Sequence, residues 1–162
     1  TIAWDGEVIV MVDQRKLPAE EVYVRCKSGN DVARAIKTMV IRGAPAIGVA
    51  AAMGIALGMR TSKATGTQKF AAEFYKTCEL MAGTRPTAVN LFWAIDRMKR
   101  AFAAAAEAGE SVEQIKDRLD RELLGPPADD GARTMHLMQP VRGLGDAERH
   151  DFLPLRVILW SA

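Results

Sequence analysis

The start of the chain combines apolar runs with turn residues in the pattern typical of β-strands. Ile2–Trp4 precedes Asp5-Gly6, a dipeptide that favours a tight hairpin, and the apolar run Val8–Val12 follows. Leu17-Pro18 interrupts the pattern, after which Glu21–Cys26 forms a third candidate strand. The sequence therefore predicts a small antiparallel sheet at the beginning of the chain.

The apolar positions of the next segment recur at helical spacing. The stripe Val32–Met39 predicts a first helix, which either Ser28 or Asn30 can cap at its N-terminus. Gly43 suits the left-handed backbone position that commonly ends a helix. We therefore expect the first helix to end there and the next one to follow directly.

Four further helices are predicted, and glycines mark where most of them end. Ser111 and Gln114 have the spacing of a capping box at the start of the last one. These observations predict an α+β fold in which a small antiparallel sheet is followed by a bundle of about five helices. The four segments are Ala44–Met59, Gln68–Ala82, Pro86–Ala108 and Ser111–Gly125.

The segment Ala44–Met59 contains no charged residue and could be mistaken for a membrane span. It is shorter than the roughly 20 residues that cross a bilayer, and Arg42 and Arg60 bound it closely. Gly54 and Gly58 are spaced so that a neighbouring helix can approach. We interpret this segment as a buried helix.

The pattern changes after Gly125. Pro126-Pro127 stop the last helix, and no sustained period follows until Leu153–Trp160, a strand-like apolar run. We expect residues 1–124 to form one domain and residues 125–162 to be a tail that completes no sheet and is weakly packed or supported by a partner.

Composition and charge narrow the function. The chain has 162 residues, 49% of them hydrophobic, and its 22 basic and 20 acidic residues give a formal net charge of +2. Because both signs are scattered, a nucleic-acid surface is not expected. Cys26 and Cys78 match no zinc or redox spacing, so neither a metal nor a cofactor is expected. With no signal peptide in the sequence, we expect a cytoplasmic protein.

Two short motifs carry the candidate chemistry: Arg42-Gly43-Ala44-Pro45 and Arg85-Pro86-Thr87. Each sets an arginine just before a proline at the head of an apolar run, and proline fits the first turn of a helix. The unpaired N–H groups of that turn attract anions, and the planar guanidinium is suited to phosphate. Together the two motifs predict a site for a phosphorylated small molecule.

The same motifs give a family resemblance. Arg42–Gly48 and Thr84–Leu91 resemble the methylthioribose-1-phosphate isomerase family, which is related to the alpha, beta and delta subunits of initiation factor 2B and to ribose-1,5-bisphosphate isomerases. Ile2–Gly6, Asp13–Pro18 and Ala35–Arg42 agree with the family as well, so the resemblance covers residues 1 to about 124.

The resemblance implies an aldose–ketose isomerase of methionine salvage that acts on 5-methylthioribose 1-phosphate. The substrate pocket would be lined by Arg42, Gly43, Ala44 and Arg85. The alternatives are a non-catalytic regulatory or assembly module like initiation factor 2B, and a relative of ribose-1,5-bisphosphate isomerase. Family members are dimers mainly through a second domain, so dimerisation of residues 1–162 stays open.

The resemblance also implies a Rossmann-like second domain, with a catalytic cysteine in a Thr-His-Cys-Asn motif and a catalytic aspartate. Neither motif occurs in this sequence, and neither Cys26 nor Cys78 has that context, so no catalytic residue is assigned. A shifted reading frame, a truncated gene or a fragment of a longer protein would each explain the unmatched tail. We expect this chain alone to be inactive.

Overall fold

A three-stranded antiparallel sheet forms first, as the sequence predicts. The computed structural model describes residues 2–124, 133–139 and 153–159. Strand β1 pairs with β2, and β2 pairs with β3, so that Ile9 lies opposite Cys26. Ile9, Met11 and Cys26 are fully buried, which fits the two-residue period of a sheet with one face against a core. The strands are β1 (Ile2–Asp5), β2 (Val8–Val12) and β3 (Tyr23–Cys26).

Five helices follow the sheet, which confirms the predicted α+β class. Two of the predicted caps are present as well. The hydroxyl oxygen of Ser28 accepts the Asp31 backbone N–H at 3.3 Å, and Gln114 Oε1 accepts the Ser111 backbone N–H at 2.8 Å. The helices are α1 (Gly29–Lys37), α2 (Ala44–Arg60), α3 (Thr67–Ala82), α4 (Val89–Glu107) and α5 (Val112–Leu124).

The end of α1 differs from the prediction. The left-handed residue is Met39, with φ of 63°, and the Val40 N–H donates to the Ala35 carbonyl at 2.9 Å, which closes the last turn. The helix stops early because Val40 and Ile41 are buried and must leave the helix axis to reach the core. Gly43 instead precedes the first residue of α2, with φ of 97°, a conformation that glycine adopts without strain.

Helix α2 is the centre of the bundle, since it contacts each of the other four helices. Its close neighbours require small residues at the contact. A Cβ atom on Gly54 would lie 2.5 Å from Met81 Cε and 2.8 Å from Val32 Cγ1. The structure thus confirms the interpretation of Ala44–Met59 as a buried helix. Within the described ranges no helix has both the length and the apolar character needed to cross a membrane.

Part of the segment after Gly125 is described. Strands β4 (Arg133–Gln139) and β5 (Leu153–Leu159) form a separate antiparallel pair. The expectation that this segment completes no sheet was therefore wrong, while the strand predicted near Leu153–Trp160 is present. Residues 125–132, 140–152 and 160–162 lie outside the described residues, and the domain boundary at 124 stays a prediction.

Candidate functional site

The first arginine motif places an exposed, uncapped helix start on the surface. Gly43 caps α2 without any side-chain hydrogen bond, and Pro45 lies in the first turn, as the sequence predicts. The first turn carries no acidic residue, so no carboxylate competes for its N–H groups. Gly43 and Ala44 are both exposed. This helix start therefore presents a partly positive end to solvent.

Arg42 is also exposed, and its guanidinium is attached to the loop that follows β2. Its Nη2 donates to the Gln14 carbonyl at 3.2 Å. A guanidinium carries five N–H donors, so this single bond leaves donors for an anion. No sequence pattern indicates this contact, because the acceptor is a backbone carbonyl distant in sequence.

The second motif forms a turn and not a helix start. The Ala88 N–H donates to the Arg85 carbonyl at 3.0 Å, which closes a turn with Pro86 in its second position, where proline is favoured. Helix α4 begins only at Val89, so the prediction that it starts at Pro86 was wrong. The chain reverses direction between α3 and α4, and Pro86 favours the turn in which it does so. The start of α4 still has no side-chain cap and no acidic residue in its first turn.

The guanidinium of Arg85 includes a buried nitrogen whose hydrogen-bonding capacity the described part of the chain does not use. Its Nη1 is buried and, among the described residues, has no hydrogen-bond partner. Buried donors without a partner are uncommon, because each costs about 1–3 kcal/mol. The hydrogen-bonding capacity of this donor is therefore unused by the described residues.

The directions of three helices relate the two motifs. Helices α2 and α3 are antiparallel, because Gly58 is close to Thr77 while Gly54 is close to Met81. Helices α3 and α4 are antiparallel too, since the Phe102 ring stacks on that of Phe74 at 4.1 Å across a short connection. Helices α2 and α4 therefore run in the same direction. We call Arg42, Gly43, Ala44 and Arg85 the candidate anion site.

A cavity at the far end of α2 differs in character from the candidate anion site. It has a volume of about 810 Å³ and lies at the opposite end of the helix, near Arg60. Its charges are largely paired, since Arg60 Nε lies 3.0 Å from Asp120 and Lys116 Nζ lies 2.9 Å from Glu113. Paired charges of both signs do not favour an anion, so this cavity does not compete with the candidate anion site.

Both cysteines are inert. Burial raises the pKa of the Cys26 thiol to about 11 and that of Cys78 to about 12, so both are protonated at neutral pH. Both are almost fully buried as well. A buried, protonated thiol is poorly suited to act as a nucleophile. In the described part of the chain no three His, Cys, Asp or Glu side chains are grouped as metal ligands.

Comparison with known proteins identifies the family. The sequence matches the initiation factor 2 subunit family over residues 40–129, a range that contains both arginine motifs. The chain belongs to this family. The resemblance inferred from Arg42–Gly48 and Thr84–Leu91 is therefore confirmed.

The most informative relatives within the initiation factor 2 subunit family are isomerases. The methylthioribose-1-phosphate isomerase of Trichlorobacter lovleyi is 50% identical over 130 residues, which cover 80% of this chain and 37% of the relative. That of Koribacter versatilis is 59% identical over 102 residues, covering 63% of this chain and 29% of the relative. The chain thus spans about a third of the length of these relatives.

Two solved structures of similar fold bear different names. The 5-methylthioribose 1-phosphate isomerase of Pyrococcus horikoshii OT3 is 41% identical with a TM-score of 0.70. The structure described as translation initiation factor eIF-2B, subunit delta, from A. fulgidus is 39% identical with a TM-score of 0.67. Each match covers 75% of this chain and 34% of the solved chain. The described fold is thus shared by isomerases and by a protein named as an initiation factor.

Proposed function

We propose that this chain is the sugar-phosphate-binding part of an isomerase that interconverts 5-methylthioribose 1-phosphate and 5-methylthioribulose 1-phosphate. The observation that carries the proposal is that each arginine motif precedes a helix start with no side-chain cap and no acidic residue in its first turn. The unpaired Nη1 of Arg85 supports it. The identity to named isomerases over most of the chain supplies the substrate.

The proposed role of the candidate anion site is to bind and orient. The phosphate accepts hydrogen bonds from Arg42, from Arg85 and from the first-turn N–H groups that Gly43 and Ala44 expose. A charge-assisted contact of this kind is worth about 1.5–3 kcal/mol. With the phosphate fixed, the adjacent carbons of the sugar are restricted to a limited set of positions, which favours reaction.

The chemical step needs groups beyond this site. Converting an aldose into a ketose moves a proton between neighbouring carbons, which takes a general base and a general acid close to the substrate. The resemblance assigns such groups to motifs that the sequence does not contain, and Cys26 and Cys78 are inert. We therefore propose that residues 1–162 bind the substrate without turning it over, and that neither a metal nor a redox cofactor takes part.

Calorimetric titration tests the binding. We expect 5-methylthioribose 1-phosphate to bind, and 5-methylthioribose, which lacks the phosphate, not to bind. Ketose formation at high protein concentration should be negligible. A complete isomerase, such as that of Trichlorobacter lovleyi, tests the roles directly. Replacing by alanine the arginine aligned with Arg42 or Arg85 should raise KM or lower kcat by about tenfold or more. Unchanged kinetics in both variants would refute the proposal.

A second candidate function is a non-catalytic regulatory or assembly module, which the A. fulgidus structure favours because it is almost as similar as the isomerase. A relative of ribose-1,5-bisphosphate isomerase is the third. Competition between 5-methylthioribose 1-phosphate and ribose 1,5-bisphosphate in the same titration shows which of them binds more tightly, and so ranks these candidate functions. Sequencing the nucleotides beyond the codon for Leu124 and reading all three frames shows whether the catalytic motifs follow.

The proposal also covers the compartment and the partners of the protein. We propose a cytoplasmic protein that does not bind nucleic acid, because its basic and acidic residues are nearly equal in number and scattered. Whether residues 1–162 form a homodimer is open, and sedimentation velocity of this chain decides it.

A further inference from the structure

The buried carboxylate of Asp13 fixes the conformation of the loop after β2. Asp13 is only 3% exposed, yet it is charged and fully paired. Its Oδ1 accepts the Arg15 Nε–H at 2.8 Å and the Arg15 backbone N–H at 3.1 Å, while its Oδ2 accepts from Arg15 Nη2 at 2.6 Å. A two-pronged arginine–carboxylate pair fixes orientation as well as distance. The peptide between the two partners, that of Gln14, is therefore held in one place.

This loop contacts the connection between α1 and α2 through backbone groups. The Gln14 N–H donates to the Val40 carbonyl at 2.9 Å, and Arg15 Nη1 reaches the Thr38 carbonyl at 3.5 Å. The Gln14 carbonyl in turn accepts a hydrogen bond from Arg42 Nη2 at 3.2 Å. Gln14 thus bridges the buried ion pair and the guanidinium of the candidate anion site.

We infer that Asp13 and Arg15 are positioning residues, which orient Arg42 for phosphate through the carbonyl of Gln14. This inference rests on the proposed function. An exposed arginine samples many rotamers, and holding one of them costs free energy when the ligand binds. Because the Arg42 guanidinium already donates a hydrogen bond to the Gln14 carbonyl, it has lost part of that freedom before the ligand binds. The loop is thus expected to improve affinity about three- to tenfold.

A positioning role has to be distinguished from simple loop stability. The side chain of Arg15 is 47% exposed, so replacing it opens no cavity in the core, but it leaves the buried carboxylate of Asp13 without its partner. The sheet also offers a matched control in Arg25, whose Nη1 lies 2.7 Å from Asp5 Oδ2. Asp5 and Asp13 stand at opposite ends of β2, so the control removes an arginine–aspartate pair remote from Arg42.

The experiment is a double-mutant cycle on the whole chain, with inorganic phosphate and 5-methylthioribose 1-phosphate as probes. We expect Arg15→Met to raise the Kd about three- to tenfold, Arg15→Lys to restore part of the affinity, and Arg25→Met to change nothing. In an Arg42→Met background, Arg15→Met should have no further effect, because its only route to the ligand is gone. Equal losses with and without Arg42, or no loss at all, would overturn the inference.

A measurement without ligand keeps the inference separate from the proposed function. The NMR order parameter of the Arg42 Nε–Hε group should fall in Arg15→Met and stay unchanged in Arg25→Met. If phosphate does not bind to the unmodified chain, the proposed function fails, and the inference fails with it as a statement about binding. If phosphate binds while the order parameter and the cycle show no effect of Arg15, only the inference fails.

Discussion

Met39 ends α1 in the backbone conformation in which Gly109 ends α4. Both residues have positive φ, 63° for Met39 and 69° for Gly109. The hydrogen bonds around them match as well. The residue after each donates its N–H back to the helix, from Val40 to Ala35 at 2.9 Å and from Glu110 to Ala105 at 3.1 Å. One helix therefore closes with a residue that suits the left-handed region, and the other closes with a residue that does not.

Met39→Gly should stabilise the protein. A residue with a Cβ costs about 1–2 kcal/mol in the left-handed conformation, and glycine avoids that cost. Glycine is also freer in the unfolded chain, which offsets about 0.5–1 kcal/mol of the gain in stability. The net increase in the free energy of unfolding is expected to be about 0.5–1 kcal/mol, since Met39 is 43% exposed and loses little packing. Urea denaturation measures it. Met39→Val, which is β-branched, should be destabilising, and the opposite order of the two variants would contradict the explanation.

Gly54→Ala should destabilise the protein by about 1–3 kcal/mol, the usual cost of overpacking. The added Cβ would meet Met81 Cε at 2.5 Å and Val32 Cγ1 at 2.8 Å in the crowded centre of the bundle. Gly83→Ala is the matched control, because Gly83 has φ of −70° and an added Cβ would find its nearest atom at 3.6 Å. Thermal denaturation of both variants checks this, and equal melting temperatures would contradict it.

The stability of the protein should fall as the pH drops from about 4 to about 2, partly through Asp13. The hydrogen bonds from Arg15 lower the pKa of Asp13 from 3.8 to about 2. Because the unfolded chain binds this proton more readily, the contribution of the pair is complete above the unfolded pKa and disappears towards the folded one. In Asp13→Asn the slope of unfolding free energy against pH should flatten in that window. Parallel curves for the variant and the original protein would rule out this role of Asp13.

Arg85→Met should cost binding and not stability. The substitution removes a buried donor without a partner, so the free energy of unfolding should stay unchanged or rise by about 1 kcal/mol. The affinity for 5-methylthioribose 1-phosphate should fall about tenfold or more. Arg97→Met gives the contrast, because Arg97 Nε donates to Glu122 Oε1 at 2.6 Å, and its loss should lower stability but not affinity. Similar stability losses in the two variants would indicate that Arg85 is structural.

Much of the fold follows from local sequence. Ser28 and the pair Ser111 and Gln114 cap their helices as expected, because a hydroxyl or amide at that spacing has few other local partners. The three strands and five helices were likewise predicted. Strand β4 was not, since Arg133–Gln139 mixes polar and apolar residues without a clear period.

The errors come from residues with two locally acceptable roles. Pro86 fits either a first helical turn or a reverse turn, and the need to reverse the chain between α3 and α4 selects the second. Gly43 fits either the end of α1 or the start of α2, and the burial of Val40 and Ile41 decides it. The contact between Arg42 and the Gln14 carbonyl could not be predicted, because no side-chain pattern records where a backbone oxygen will point.

Because α2 touches each of the other four helices, a shift of this helix would disturb all four contacts at once. Its first turn, which Gly43 opens, is tied to the core by the buried residues that begin at Ile47. An anion bound at this turn, as the proposed function requires, would therefore occupy a position set by the whole bundle. If the proposed function holds, a change of preference from one sugar to another is expected to arise in residues that reach the ligand from a different direction.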